Sequence, residues 1–239
     1  MNKKTILITG SAKRLGKFLA TSFAEEGCNI ALHYNSSEKD AVATKAELNT
    51  LNIDCQIFQA DLQNTNNCQK LITDTENHFG KIDVLINNSS IFTKGGFSNT
   101  TEEIFDENFN INYKAIFFLS QFFAKNNSGN IINLLDTYIV RRSKKFFTYL
   151  NSKKSLEILT KDMALELAPK IRVNAIAPGA FLPAYEFAEE YISKRAKNAP
   201  LDHYTKMADI LTSMKFLIEN NFITGQTIYV DGGEHLTTL

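Results

Sequence analysis

Short apolar runs rich in β-branched residues alternate with longer segments of helical periodicity along almost the whole chain. Seven runs have the character of strands: KTILIT (4–9), NIALHY (29–34), CQIFQA (55–60), IDVLIN (82–87), NIINLL (130–135), IRVNAIA (171–177) and TIYV (227–230). Each is apolar nearly from end to end, which is typical of strands in a parallel sheet whose two faces are both covered by helices. The pattern therefore predicts seven buried parallel strands separated by helices.

Amphipathic segments between these runs predict the covering helices. The first has a single buried stripe and ends before Gly27, a residue suited to the position after a helix. Its stripe consists of Leu15, Phe18, Leu19, Ser22 and Phe23. A later phenylalanine-rich helix is predicted to start at a capping box of Thr100 and Glu103 and to run on to Phe123.

Regular alternation of strands and helices predicts right-handed βαβ units. We therefore expect an α/β protein with a Rossmann-like, doubly wound, seven-stranded parallel sheet. No linker, repeat or low-complexity tract interrupts the pattern, so residues 1–239 are predicted to form a single domain.

Composition narrows the class of protein. The 239 residues carry 26 basic and 26 acidic side chains, a formal net charge of zero, and the lysines and arginines are dispersed. This balance predicts neither nucleic acid nor an anionic membrane as a partner. No apolar run is long enough to span a bilayer and the first residues lack a secretory cleavage pattern, so we expect a cytoplasmic protein. Three widely spaced cysteines without a CxxC pair predict neither a disulfide framework nor a metal site.

The segment LITGSAKRLG joins the first predicted strand to the first helix. Gly10 and Gly16 stand where a dinucleotide-binding loop needs glycines for a tight turn and for close approach of the pyrophosphate. The N–H groups and dipole of the following helix favour such an anion. Lys13 and Arg14 lie between the glycines, and the Arg14 guanidinium is suited to forked contact with phosphate oxygens or with the polar edge of a substrate. An ordinary strand-to-helix turn is the alternative.

The second predicted strand ends in HYNSS, which comprises His33, Tyr34, Asn35, Ser36 and Ser37. NAD sites usually have an acidic residue at this strand end, where it accepts hydrogen bonds from the ribose hydroxyls. No carboxylate stands here, and hydrogen-bond donors do. A carboxylate would repel a 2′-phosphate, whereas hydroxyl, amide and cationic donors attract it. With Lys13 and Arg14 close by, the pattern favours NADPH over NADH.

The segment YLNSK places Tyr149 and Lys153 at an i, i+4 spacing, so both project from one face of a helix. An ammonium beside a phenol lowers the phenol pKa and makes it a better proton donor near neutral pH. The pair follows the fifth predicted strand, whose end carries Asp136, in the region where open sheets bind ligands.

Six motifs together resemble those of the short-chain dehydrogenase/reductases in order and spacing: TGSAKRLG, NNSSIF, NINYK, YLNSK, APGA and ITGQTIYVDGG. The resemblance covers essentially the entire chain. Within that superfamily the chain looks most like the pteridine reductases and bacterial dihydromonapterin reductases. Three features carry the narrower match: Arg14 in place of the usual middle glycine, the HYNSS turn, and Asp136 where most of the superfamily has a catalytic serine.

This resemblance implies a role for each matching residue in catalysis. Tyr149 would donate the proton, and Lys153 would bind the nicotinamide ribose and lower the tyrosine pKa. Asn112 would hold a backbone kink and a water that leads to Lys153. Asp136 would polarise Tyr149 or relay a proton. The alternative for Asp136 is a turn residue one step from the true catalytic position.

The resemblance also implies the contacts of cofactor and substrate. NADPH is expected to contact Gly10, Lys13, Arg14, Leu15, Gly16, His33, Tyr34, Asn35, Ser36, Ser37, Asp61, Leu62, Asn88, Ser89, Ser90, Tyr149, Lys153, Pro178 and Gly179. The substrate is expected to contact Arg14, Ser90, Phe92 and Tyr149, with the Phe92 ring stacking a pterin against the nicotinamide. Two positions depart from the family pattern: the usual NNA run is NNS, and Ile91 replaces a small polar residue. The loop AFLPAYEFAEE (180–190) is expected to close over the substrate.

The predicted activity is NADPH-dependent reduction of a pterin, of a dihydropterin such as dihydromonapterin, or of dihydrofolate to the tetrahydro form. Reduction of a ring C=N bond requires hydride on carbon and a proton on nitrogen, and a flat heterocycle fits between an aromatic face and the nicotinamide. One alternative is a carbonyl reductase, such as a 3-oxoacyl-carrier-protein reductase. Another is an NADPH-binding sensor without catalysis, although a pure binder has no need of Asn112, Tyr149 and Lys153.

Two surface features complete the predictions. The run RRSKK, Arg141 to Lys145, is either simply solvated or, near the mouth of the site, favours anionic or glutamylated substrates. The phenylalanine-rich helix from Thr101 and the helix bearing Tyr149 are apolar on more than one face. We therefore expect a homo-oligomer, a dimer or tetramer, as the resemblance to the superfamily also implies.

Overall fold

A single parallel sheet organises the chain. The computed structural model describes residues 3–181, 197 and 199–237. The sheet has seven strands in the order β3-β2-β1-β4-β5-β6-β7. The strands are β1 (Thr5–Ile8), β2 (Asn29–Tyr34), β3 (Cys55–Gln59), β4 (Val84–Asn87), β5 (Gly129–Leu134), β6 (Ile171–Pro178) and β7 (Thr227–Val230). The predicted Rossmann-like, doubly wound α/β fold is confirmed.

Helices cover both faces of this sheet. Over the described part of the chain they are α1 (Arg14–Glu25), α2 (Glu38–Leu48), α3 (Thr65–Phe79), α4 (Glu102–Phe109), α5 (Ala115–Asn126), α6 (Phe147–Leu167) and α7 (Met207–Glu219). Successive β1 residues face opposite cores, because side chains alternate along a strand. Ile6 and Ile8 pack with Phe23 of α1, whereas Leu7 packs with Leu119 of α5 on the other side.

The order of the strands reverses direction at β1. This strand pairs with β2 on one side and with β4 on the other, and both pairings are parallel. The chain runs outward from β1 through β2 to β3 and then returns to β4. Ligands of open α/β sheets bind in the crevice outside the carboxyl ends of the strands at such a point. The segments after β1, β4 and β5 are therefore brought to one edge.

The phenylalanine-rich helix starts one residue later than the predicted capping box. The Thr101 side chain accepts a hydrogen bond from the Ile104 N–H at 3.4 Å. The Thr100 hydroxyl donates instead to the Gly96 carbonyl at 2.7 Å. The prediction of Thr100 as the cap was wrong because that side chain anchors the preceding loop.

This helix is also interrupted. A π-helical turn, Asn110–Lys114, separates α4 from α5. Such a turn has i→i+5 hydrogen bonds and is often found at functional sites. Asn112 stands in its middle and is fully buried. The extra residue in this turn rotates the apolar face of α5 relative to that of α4. It also directs the polar side chain of Asn112 into the protein interior.

Three features of the described residues bear on the class of protein. None of the helices found there is both long and apolar enough to cross a membrane. No group of three or more His, Cys, Asp or Glu side chains that could hold a metal ion occurs in these residues. Cys28, Cys55 and Cys68 are buried, and the described residues contain no disulfide between them.

Candidate active site

A cavity of about 690 Å³ lies at the carboxyl ends of the strands. It collects almost all of the residues that the sequence predicts for cofactor, substrate and proton transfer. Those that line it are Gly10, Lys13, Arg14, Leu15, Gly16, His33, Tyr34, Asn35, Ser36, Ser37, Leu62, Asn88, Ser89, Ser90, Phe92, Asp136, Tyr149, Lys153, Pro178 and Gly179. Residues far apart in sequence therefore line one cavity.

The loop between β1 and α1 has room for glycine alone at two positions. Gly10 has a φ of +64° and packs against Ser89. A Cβ at Gly16 would lie 2.2 Å from the Gly10 carbonyl oxygen. The Asn88 amide donates to the carbonyls of Thr9 and Gly10 at 2.8 and 3.1 Å, which ties the loop to the end of β4. The start of α1 is held close to the sheet and faces the cavity.

Arg14 has a backbone conformation that glycine adopts more readily. Its φ is +53°, in the left-handed region. A non-glycine residue there costs on the order of 1 kcal/mol or more. The residue lines the cavity at the first position of α1, whose N-cap residue makes no side-chain capping bond. The loop thus accepts backbone strain at the position that places a guanidinium at the cavity wall.

His33 lines the cavity, and both nitrogens of its ring are engaged within the protein. Its Nδ1 accepts a hydrogen bond from the Gly10 N–H at 3.0 Å, and its Nε2 lies 3.0 Å from the Ala60 carbonyl. Burial lowers the pKa of the imidazole to about 4, against the opposing effect of the Ala60 bond. A neutral ring with both nitrogens engaged positions the glycine loop, and its contact with NADPH stays a prediction.

Lys13 is paired within the protein. Its ammonium lies 3.0 Å from the carboxylate of Asp40, in the first turn of α2, and both side chains are about half exposed. An ion pair this exposed is weak, so the Lys13 side chain is not locked in place. The sequence analysis did not anticipate Asp40 near the strand end.

Asp136 and Tyr149 are in direct contact. The Tyr149 hydroxyl donates to Asp136 Oδ2 at 2.9 Å. Asp136 Oδ1 accepts the Tyr138 N–H at 2.8 Å, and this bond caps the short 3₁₀ turn Thr137–Val140. One carboxylate oxygen is therefore fixed by the backbone while the other holds the phenol.

Lys153 stands one helical turn beyond Tyr149 in α6 and is almost completely buried. Its ammonium donates to the Leu134 carbonyl at the end of β5, at 2.8 Å. Burial lowers the pKa of Lys153 to about 8, and the negative charge of Asp136 acts in the opposite direction. The lysine still carries its charge at neutral pH, next to the phenol.

Phe92 belongs to an aromatic cluster around Tyr149. Its ring stacks on Phe146, with centroids 4.5 Å apart and planes at 23°. The same ring meets Tyr149 edge-on, with centroids 4.6 Å apart at 89°. Phe92 is 38% exposed and lines the cavity. An apolar face therefore stands beside the phenol, and the sequence analysis missed Phe146, whose position follows only from the folded loop.

Asn112 acts behind the cavity and does not line it. Its Oδ1 accepts from the Ile91 N–H at 2.9 Å and from the Ser90 hydroxyl at 3.0 Å. Its amide donates to the Ile91 carbonyl at 2.9 Å and to the Ser152 hydroxyl at 3.1 Å. These bonds use the full hydrogen-bonding capacity of the side chain, and the water that the resemblance implies stays a prediction. Asn112 is a positioning residue that joins the loop after β4 to α6.

Asp61 was predicted from the family resemblance to contact the cofactor, and that contact stays a prediction. Asp61 does not line the cavity, and its carboxylate accepts the Gln63 N–H at 3.1 Å. Leu62 and Gln63, in the turn so formed, do line it. Ile91, Ala180 and Phe181, which the sequence placed near the substrate, also line the cavity. Further lining residues, not predicted from the sequence, are Ala12, Gln63, Lys94, Ile111, Leu134 and Leu135. Of the predicted closing loop 180–190, residues 182–190 lie outside the described residues.

A buried carboxylate near the chain end supports the catalytic turn from behind. Asp231 accepts hydrogen bonds from the Thr137 hydroxyl, the His235 N–H and the Gly233 N–H. Burial acts to raise its pKa, but these bonds together hold the pKa below the usual value. Thr137 follows Asp136 directly, so this network fixes the turn that presents the carboxylate to Tyr149.

Comparisons with known proteins agree with this geometry. A sequence model of a family described as enoyl-(acyl carrier protein) reductase matches residues 10–235. The 3-oxoacyl-[acyl-carrier-protein] reductase FabG of Staphylococcus aureus is 31% identical, with 98% of each chain covered. The FolM alternative dihydrofolate reductase 1 from Brucella canis, solved with NADP, is 30% identical with a TM-score of 0.91, covering 98% of this chain and 95% of that one. A short-chain dehydrogenase/reductase from Serratia marcescens is 27% identical with a TM-score of 0.92, and 98% of each chain is covered.

Proposed function

The chain belongs to the short-chain dehydrogenase/reductase superfamily, and within it we propose that the protein reduces a dihydropterin or dihydrofolate to the tetrahydro form with NADPH. The support comes from two levels. Family membership carries the general chemistry, NAD(P)H-dependent reduction. The residues around Tyr149 carry the choice of substrate.

The cavity fits a dinucleotide at the glycine loop. The Gly16 position, where a Cβ would collide with the Gly10 carbonyl, brings the start of α1 close to the sheet. The first N–H groups of a helix have no intrahelical acceptor and favour a phosphate group. Gly10, Arg14, Leu15 and Gly16 would hold the pyrophosphate there. When bound, NADPH supplies the hydride for the reduction.

The end of β2 supports NADPH rather than NADH. Asn35 and Ser36 are exposed there and line the cavity, and neither carries a negative charge. Lys13 lines the same cavity. A 2′-phosphate would find amide, hydroxyl and ammonium donors in this corner, and it would compete with Asp40 for Lys13.

Proton transfer is assigned to Tyr149. The reduction places hydride on the carbon of a ring C=N bond, and the proton moves from the Tyr149 hydroxyl to the nitrogen as the O–H bond breaks. Lys153 favours the phenolate that results, since its positive charge lies nearby. Asp136 accepts from the phenol and keeps it protonated and oriented before the transfer.

The hydrogen bond from Tyr149 to Asp136 is the observation that carries the choice of a pterin. A carbonyl reductase of the usual kind places a serine hydroxyl here, which donates to the oxygen being reduced. An ionised carboxylate has no proton to donate and would repel the developing alkoxide. A ring nitrogen that needs one proton, next to the Phe92 face, is a better match for this pair.

The test is a panel of substrates with purified protein and NADPH. Oxidation of NADPH is followed with 7,8-dihydromonapterin, dihydrofolate and an acetoacetyl thioester. We expect turnover with the two dihydropterin compounds. Turnover with the acetoacetyl thioester alone would favour the second candidate, a 3-oxoacyl-carrier-protein reductase, which the similarity to FabG supports.

Replacing the carboxylate gives a sharper version of the same test. Asp136→Ser restores the hydroxyl that is usual in the superfamily. We expect it to lower kcat/KM for dihydropterin by about 100-fold, within the usual range for a group that assists general acid catalysis. Asp202→Asn, at an exposed turn, is the control and should leave kcat/KM unchanged. Equal activity of Asp136→Ser and the native protein on dihydropterin would remove the main support for the proposal.

A further inference from the structure

A second cleft adjoins the candidate active site and is strongly basic. It has a volume of about 1030 Å³ and is formed by residues 94–99 together with residues of the segment 142–154. Five of the side chains that line it are cations: Lys94, Arg142, Lys144, Lys145 and Lys154. Asp and Glu are absent from its lining over the described residues. The whole protein has no net charge, so this is a local concentration of positive charge.

The two walls of this basic cleft are joined by the backbone. The Gly95 N–H donates to the Lys145 carbonyl at 2.9 Å, and the Phe147 N–H donates to the Gly95 carbonyl at 2.9 Å. The Ser143 hydroxyl accepts the N–H groups of Lys145 and Phe146, both at 3.2 Å. The lysines therefore project from a hydrogen-bonded framework, which fixes their spacing before any ligand arrives.

Lys94 connects the basic cleft to the active site because it lines both cavities. It lies two residues from Phe92, so their Cα atoms are at most about 7 Å apart. Phe92 stacks on Phe146 on the active-site side, and Phe97 packs edge-on against Phe147 on the side of the cleft. A molecule whose ring lies on Phe92 could therefore extend past Lys94 into the cleft.

Two cations of the basic cleft, Lys154 and Arg142, repel each other. Burial and the neighbouring Arg142 charge both lower the pKa of Lys154 below its usual value. The Lys154 ammonium donates to the Arg141 carbonyl at 2.7 Å, which offsets part of this cost. A bound anion would offset the rest, so the site is suited to a ligand with more than one negative charge.

We propose that the basic cleft binds a tail of several carboxylates carried by the pterin substrate, as in a dihydrofolate with a chain of glutamyl residues. This inference rests on the proposed function and names the substrate class for the same site. Lys94 lines both the active-site cavity and the basic cleft, which favours a flexible tail that is continuous with the bound ring. An acidic protein surface is the competing occupant.

The test compares three substrates that differ only beyond the ring. KM is measured with saturating NADPH for dihydromonapterin, dihydrofolate with one glutamate, and dihydrofolate with three γ-linked glutamates. We expect KM to fall by about tenfold from the first to the last, and the difference to shrink as salt screens the charges. Calorimetry of folate triglutamate binding to the NADP⁺ complex should show the same preference without turnover.

A pair of variants tests whether the preference for the triglutamate depends on the lysines of the basic cleft. The double variant Lys144→Gln/Lys145→Gln should raise KM for the triglutamate by about tenfold and leave kcat and KM for dihydromonapterin within about twofold. The control, Lys70→Gln/Lys161→Gln, removes two lysines that pair with acids one helical turn away on α3 and α6. It should leave both substrates unaffected.

Each other outcome overturns the inference in a distinguishable way. Reduction of all three compounds with one KM would reject the tail site and leave the proposed function intact. A lack of turnover with every pterin would reject both. If the Lys144→Gln/Lys145→Gln variant loses activity only on a 3-oxoacyl group carried by acyl carrier protein, and not on the free thioester, the cleft binds an acidic protein instead.

Discussion

At the scale of single residues, the candidate site depends on where one proton sits. Tyr149 donates a hydrogen bond to Asp136. Lys153, one turn further along α6, donates to the carbonyl of Leu134 at the end of β5. The carboxylate favours the protonated phenol and the ammonium favours the phenolate. In the proposed reaction the carboxylate would keep the phenol protonated until the transfer, and the ammonium would stabilise the phenolate that remains.

Removing the phenol hydroxyl should separate chemistry from binding. Tyr149→Phe keeps the ring that packs edge-on against Phe92 and deletes the proton donor. We expect kcat to fall by about 10²–10⁴-fold, the range for a general acid, with NADPH affinity nearly unchanged. Steady-state kinetics and NADPH fluorescence titration check this. Tyr138→Phe, which leaves the bond between Asp136 and the Tyr138 backbone intact, is the matched control, and undiminished turnover of Tyr149→Phe would contradict the mechanism.

His33 gives a prediction about stability against pH. The folded protein keeps this imidazole neutral down to a pKa of about 4, while the unfolded chain protonates near 6.5. Between these values the unfolded state binds more protons, so stability rises with pH in this window and is lost on acidification. The contribution should be about 2 kcal/mol at pH 5, relative to pH 7.5.

Urea unfolding at pH 7.5 and pH 5 measures this contribution. His33→Gln should show a smaller loss on acidification than the native protein, because the group that titrates is gone. His78→Gln removes an exposed histidine that is paired with Asp54 and serves as the control. An identical pH dependence in the native protein and His33→Gln would show that His33 is not held neutral.

At the scale of elements, strand ends and helix starts decide which groups meet. The end of β2 brings Asn35 and Ser36 to the corner where Lys13 and Asp40 pair. The π turn between α4 and α5 turns Asn112 inward, where it fixes the loop after β4. Neither arrangement requires an unusual residue, since each depends on where an element begins or is interrupted.

The end of β2 carries a prediction about the cofactor. Asn35→Asp adds a carboxylate of similar size at the exposed strand end. We expect it to lower the ratio of kcat/KM for NADPH to that for NADH by at least tenfold, because like charges repel the 2′-phosphate. Asn49→Asp adds the same charge in the exposed turn after α2 and should change the ratio little. Native protein that uses NADH as efficiently as NADPH would refute the reading of this strand end.

At the scale of the whole molecule, some helix surface stays apolar after the core is complete. Phe117 on α5 is 38% exposed, and Ile158 and Leu165 on α6 are 62% and 84% exposed. Apolar side chains of this size gain free energy when a second subunit covers them. The prediction of a homo-oligomer concerns these two helices.

Solution mass tests this prediction. We expect light scattering to give two or four times the chain mass of 26.9 kDa. The double variant Phe117→Glu/Leu165→Glu should shift the protein to a smaller species, because charges are costly in an apolar interface. Val42→Glu, on the exposed face of α2, is the control. A native protein that is monomeric at micromolar concentration would contradict the expectation.

The amino-acid sequence by itself was enough to predict the seven strands, their parallel arrangement and the glycine loop. These features arise from neighbouring residues: apolar runs that bury both faces, and two glycines with a helix start behind them. The spacing of Tyr149 and Lys153 is likewise a local property, since one helical turn separates them.

Only the tertiary structure decided which hydrogen-bond partners each polar side chain finds among residues far away in sequence. The sequence placed His33 only at the end of a strand, and the fold engages its two nitrogens with Gly10 and Ala60. Asn112 proved to be fully engaged with residues 21 and 40 positions away. The joining of the basic cleft to the active site through Lys94 likewise follows from the pairing of two distant loops. Local patterns determine which elements form, whereas desolvation and long-range contacts assign the charge and the partner of each polar group.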